Sequence, residues 1–131
     1  MAKIATDLEQ SKKLAKILPI ESADMYYCYD YDTYTGVWYF DDEPTVIGVT
    51  TIDIDDVPAW SLSALMDILR KFARNIDKDG SVSVSSYKGI EWTLSLNNVT
   101  DINSVENYDM IDACVDVIIK LKEKIYYDKN K

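Results

Sequence analysis

The side chains that most often perform chemistry near neutral pH are scarce in this sequence. There is no histidine, which removes the commonest general base and the commonest metal ligand. A serine or cysteine nucleophile activated by histidine is thereby excluded. What remains are carboxylates, in adjacent pairs such as Asp41-Asp42 and Asp55-Asp56. Paired carboxyls can carry out glycoside cleavage when they converge across a scissile bond, but acids beside turns are ordinarily solvated charges. No convergent first set of reacting groups is visible. The expectation is a protein that is not an enzyme, with a small carboxylate-dependent hydrolase as a distant alternative.

One spacing resembles a calcium loop. Asn75, Asp77 and Asp79 occupy its first, third and fifth positions, Gly80 the sixth and Val82 the eighth, as in an EF-hand. It departs from that pattern where affinity is made: Ser86 stands where a bidentate glutamate belongs, Asn75 is neutral, and the following residues read as strand. A helix end followed by an Asp-Gly turn explains the same letters, so neither metal nor cofactor is expected. Cys28 and Cys114 lie far apart in apolar stretches, which reads as two buried free thiols rather than a disulfide framework.

The most distinctive feature is a window without basic residues between Lys16 and Arg70. It holds eleven acids and carries −11, while the rest of the chain carries +2. Nine of the fifteen aromatics fall there too, among them Tyr29, Tyr31, Tyr34 and Trp38. Tyrosine offers contact area at low entropic cost, and a field of carboxylates steers a basic partner. The expected interaction surface is Tyr29, Tyr31, Asp32, Tyr34, Trp38, Asp41, Asp42 and Glu43, with a basic protein as partner. A phosphate backbone would be repelled, so no direct nucleic-acid binding is expected. The alternative is an acidic mimic of nucleic acid that inhibits a DNA-binding protein. The plainer reading is that alternate tyrosines pack inward while the acids keep the chain soluble.

The elements that would position these residues follow from periodicity. Thr6 to Leu18 is expected as a helix with apolar positions Ile4, Leu8, Leu14, Ala15, Ile17 and Leu18, stopped by Pro19. Three strands are expected at Met25 to Tyr31, Val37 to Phe40 and Thr45 to Ile54, separated by turn residues. Pro58 should end the extended chain and Ser61 should cap a helix carrying Leu62, Leu65, Met66, Leu69 and Phe72. Val82 and Val84, then Trp92, Leu94 and Leu96, alternate with polar residues as in a hairpin turning at Tyr87-Lys88-Gly89. A last helix, about Tyr108 to Tyr126, repeats Ile111, Cys114, Ile118, Leu121 and Ile125 at three and four. That stripe reads as an inner face, or as the seam of a homodimer.

The order α-β-β-β-α-β-β-α implies one α+β domain over residues 1–131, with three helices on one face of an about five-stranded, mostly antiparallel sheet. No run of apolar residues is long enough to span a bilayer, and Met1-Ala2-Lys3-Ile4 leads into a charged segment, so a cytoplasmic location away from membranes is expected.

Val57-Pro58-Ala59-Trp60-Ser61-Leu62-Ser63-Ala64-Leu65 and Tyr108-Asp109-Met110-Ile111-Asp112-Ala113-Cys114-Val115 resemble small proteins of no known activity carried by prophages and mobile elements of gut bacteria. The resemblance covers about a quarter of the chain and transfers no functional residue. It implies an accessory protein that binds or inhibits larger machinery.

Overall fold

The computed structural model describes residues 3–47, 55–76, 78, 81–87, 91–97, 104–107 and 109–129. They form an α+β fold with antiparallel sheets, in roughly the expected element order. The strands divide among three sheets of three, two and three strands, rather than lying in a single five-stranded sheet. The chain separates into two compact units, Ala5–Ser61 and Met1–Ile4 with Leu62–Lys131. Among the described residues no helix is long and apolar enough to cross a membrane.

In the Ala5–Ser61 unit, helix α1 spans Leu8–Ala15 and starts later than expected, because Asp7 caps it. The Asp7 carboxylate accepts from the Gln10 N–H, and the Gln10 side chain accepts from the Asp7 N–H, a reciprocal capping box. The buried positions are Ser11, Leu14 and Leu18, whereas Ile4 and Ala15 are exposed. The expected stripe was displaced because two polar residues are buried with it: Thr6 and Ser11 share a 2.7 Å hydrogen bond between their hydroxyls.

Strand β1 (Met25–Tyr27) pairs with β4 (Thr45–Val46) on one side and β5 (Val57–Ala59) on the other. Among the described residues strand β2 (Tyr29–Asp32) pairs only with β3 (Val37–Phe40). The single strand expected from Met25 to Tyr31 therefore breaks at Cys28, where the chain changes partners. Pro58 does not end the extended chain; it sits inside β5, opposite Tyr26. An edge strand tolerates proline, since one side of its ladder needs no donor. The expected strand Thr45 to Ile54 is seen only as Thr45–Val46, its later residues lying outside the described ones.

A buried polar network closes this unit. The Tyr27 hydroxyl donates to the Thr6 carbonyl at 2.8 Å, the Trp60 N–H to the Thr6 hydroxyl at 3.1 Å, and the Trp60 indole N–H to the Ser22 hydroxyl at 3.0 Å. Asp24 holds Ser61 through both carboxylate oxygens, accepting from its N–H at 2.8 Å and from its hydroxyl. No described buried side-chain donor or acceptor lacks a partner, as the cost of stranding one requires.

In the other unit, α2 spans Leu62–Ile76 and α3 spans Met110–Lys129, against a sheet of β6 (Ser81–Tyr87), β7 (Glu91–Asn97) and β8 (Ser104–Asn107). The expected hairpin is present, with Val82 opposite Leu96, Val84 opposite Leu94 and Ser86 opposite Trp92; its turn residues 88–90 lie outside the described ones. Strand β8 has no counterpart in the expectation. The inner stripe of α2 is Leu65, Ile68, Leu69 and Ala73, with Leu62 exposed. In α3, Ile111, Cys114, Ile118 and Leu121 are buried, so these four positions of the stripe weighed as a dimer seam form an inner face; the side chain of Ile125 lies outside the described ones. Asp109 accepts from the Ile111 N–H at the start of α3, and Lys3 Nζ pairs with the Asp112 carboxylate at 2.6 Å. The stretches 57–65 and 109–115 each contain packed positions: Ala59, Trp60 and Leu65 in one, Ile111, Ala113, Cys114 and Val115 in the other.

Candidate functional site

The β2–β3 hairpin collects most of the residues expected to form the interaction surface. Its turn is built by Asp32, whose carboxylate accepts from the Tyr34 N–H at 2.8 Å and whose carbonyl accepts from the Gly36 N–H at 2.8 Å. Gly36 has φ 70°, the left-handed conformation that lets the chain re-enter β3. The turn fixes the register: Tyr29 opposite Phe40, Asp30 opposite Tyr39, Tyr31 opposite Trp38 and Asp32 opposite Val37.

Because alternate residues face opposite sides of a strand, this register sorts the rings from the charges. One face is a ladder of aromatics. Tyr29 packs on Phe40 with ring centres 4.7 Å apart and stacks on Trp38 at 5.3 Å, and Tyr31 lies 5.2 Å from Trp38 at an interplanar angle of 48°. Such pairs each contribute roughly 0.5–1.5 kcal/mol beyond area burial. The ladder grades from core to solvent. Phe40 packs against the core of Ala5, Met25, Tyr27 and Ala59, while Tyr31 and Trp38 are 49% and 55% exposed. Tyr34, at the tip, is 98% exposed. A cation already lies on the inner end, where Lys12 Nζ of α1 stands 5.3 Å from the centre of the Phe40 ring.

The reverse face is acidic. The Asp41 N–H donates to the Cys28 carbonyl at 3.0 Å, which extends the pairing by one step. The Asp41 and Asp30 side chains are hydrogen-bonded. That bond, followed by partial desolvation and the charges of Asp30, Asp42 and Asp56, raises the Asp41 carboxyl above the usual carboxylate range. Desolvation and then Asp30, Asp41 and Asp32 raise the Tyr39 hydroxyl. The half-buried Cys28 thiol is raised by desolvation first, opposed by a hydrogen bond with Tyr26. Asp56 secures the base of the hairpin, accepting from the Tyr29 N–H at 3.0 Å.

The structure thus corrects the sequence reading in one respect. Tyr29, Tyr31 and Trp38 share one face, while Asp32 and Asp41 lie on the other with Asp30 and Tyr39; Asp42 and Glu43 are exposed in the turn beyond β3. Asp32 is also committed to the turn. Sequence reasoning did not single out Lys12, Asp30 or Tyr39, and it weighed Asp56 only as half of a carboxylate pair with Asp55, although the strict Tyr-Asp-Tyr-Asp alternation already separates rings from acids by parity. Trp60 and Tyr27, counted in the aromatic window, are core residues.

Of the calcium-loop candidates, Asn75 is exposed in the last turn of α2, Asp77 and Asp79 lie outside the described residues, and Ser86 belongs to β6. Among the described residues no group of three or more acids or cysteines is arranged to hold a metal ion. Cys114 is buried beside Met66, 3.8 Å between sulfurs, and burial with Asp109 pushes its thiol up to about 12. Cys28, expected to be buried, is only half so, because it lies where the strand leaves the core sheet.

The charge follows the division of the chain. Ala5–Ser61 contains twelve carboxylates and three lysines, Lys12, Lys13 and Lys16, a net −9, whereas the remaining residues hold eleven of each sign. Comparison of the chain with protein-family models, curated proteins and solved structures finds no match.

Proposed function

We propose that this chain is a non-enzymatic protein-interaction module that meets a basic protein through the β2–β3 hairpin. The observation that carries the reading is the outward half of the ladder, where Tyr31 and Trp38 stay half exposed although each is held by a neighbouring ring. Held rings lose little entropy when a partner covers them, and Trp and Tyr dominate the energetics of protein contacts. The acids on the reverse face lie within about one Debye length, ~10 Å at 0.1 M salt, of the ring face. They supply long-range attraction while the rings supply contact.

The test is capture of partners from the native cell, with each captured protein identified. The expected set has basic patches, elutes as ionic strength rises, and is lost with a combined D41K, D42K and E43K variant and with W38A. Capture indifferent to both salt and these substitutions would overturn the reading. A set of DNA-binding proteins displaced by duplex DNA would instead favour nucleic-acid mimicry.

A further inference from the structure

Tyr31 and Trp38 meet at 48° with centres 5.2 Å apart, and about half of each is exposed, so this corner of the ladder offers ring surface to solvent. The inner end, the Phe40 ring, already has the Lys12 ammonium over it. Trp38 has Tyr29 stacked on it at 26°, so that stack holds the indole in place. Tryptophan is the best side-chain acceptor for a cation, and a guanidinium, planar and weakly hydrated, stacks on an indole where an ammonium stays solvated. The unit that carries the corner has a net charge of −9, which favours a cationic occupant over an aliphatic one.

We propose that the Tyr31–Trp38 corner is an arginine seat: it receives a guanidinium from an extended basic segment of the partner, repeating at the outer end of the ladder what Lys12 does at the inner end. The proposal rests on the reading of the hairpin as a surface for a basic protein, and it is narrower, since it names the side chain and the rings that recognise it.

The probes are two capped peptides, five Gly-Arg repeats and five Gly-Lys repeats, titrated into the full chain at low salt. The readouts are affinity by calorimetry and the indole N–H resonance of Trp38, assigned by its loss in W38L. The expected result is tighter binding of the arginine peptide by about fivefold or more, a shift of the Trp38 resonance with that peptide, and loss of the preference in W38L and Y31L with the residual affinity unchanged. Because Trp38 is half exposed, W38L is expected to fold, and its amide spectrum checks this. Equal affinities for the two peptides, both weakened by salt and neither moving the Trp38 resonance, would overturn the arginine seat while leaving the basic-partner reading in place. Failure of both peptides to bind would overturn both.

Discussion

Asp41 offers the sharpest test at the scale of single residues. Its carboxyl is raised chiefly by the hydrogen bond to Asp30, so the folded chain holds that proton more tightly than the unfolded one. Stability from this pair is therefore gained as pH falls through the raised value, is complete below the ordinary carboxylate range near about 4, and is lost as pH rises again. D41N should remove that pH dependence and match or exceed the parent at pH 7, because an amide donates to the Asp30 carboxylate without a second charge; urea midpoints at pH 5 and 7 measure both. Thr6 should behave oppositely. T6V leaves the buried Trp60 N–H without its oxygen, while the Ser11 hydroxyl keeps the Thr6 carbonyl at 3.5 Å; the stranded donor costs about 1–3 kcal/mol, read as a lowered midpoint at every pH. Thr6 did not stand out in the sequence, and Asp41 did so only as one acid of a pair on the expected surface, not as a partner of Asp30. Periodicity marks apolar positions, and a buried threonine or a proton-sharing aspartate is defined only by what the fold brings to it.

Helices were more legible than strands because their signal is local. The stripes of α2 and α3 follow the three-four spacing, with Leu65 and Leu69 buried as expected in α2 and Ile68 and Ala73 completing the inner face in place of Leu62. L69A should accordingly cost about 2–5 kcal/mol in unfolding experiments, as large-to-small changes at fully buried leucines do. Strand pairing was less legible, since it depends on partners distant in sequence: β8 and the exchange of partners at Cys28 carry no local signature. The hairpin turn does. G36A places a side chain at φ 70°, where the nearest atom to the new Cβ would be the Tyr31 hydroxyl at 3.6 Å, so the cost is backbone strain of roughly 1–2 kcal/mol and not a clash. G36N should cost less, a ranking that thermal melts of the two variants would check.

For the molecule as a whole, the separation of charge has a consequence for stability as well as for recognition. A unit with twelve carboxylates and three lysines repels itself, and salt relieves that repulsion. The melting temperature should rise with sodium chloride, and rise less in the D42K and E43K double variant. A melting temperature insensitive to salt in the parent would contradict this. The exchange of partners at Cys28 reaches further. Since β1 is held in register between β4 and β5, it sets which parity of β2 points to which side, and a strand has only two parities. One residue inserted at Cys28 would turn the rings to the side where the carboxylates stand, and the carboxylates toward Lys12, without altering the composition of the hairpin. Two inserted residues would restore both. The identity of this surface is thus encoded as an even or odd number of steps from the core, so in descendants of this chain the junction should tolerate paired insertions and reject single ones.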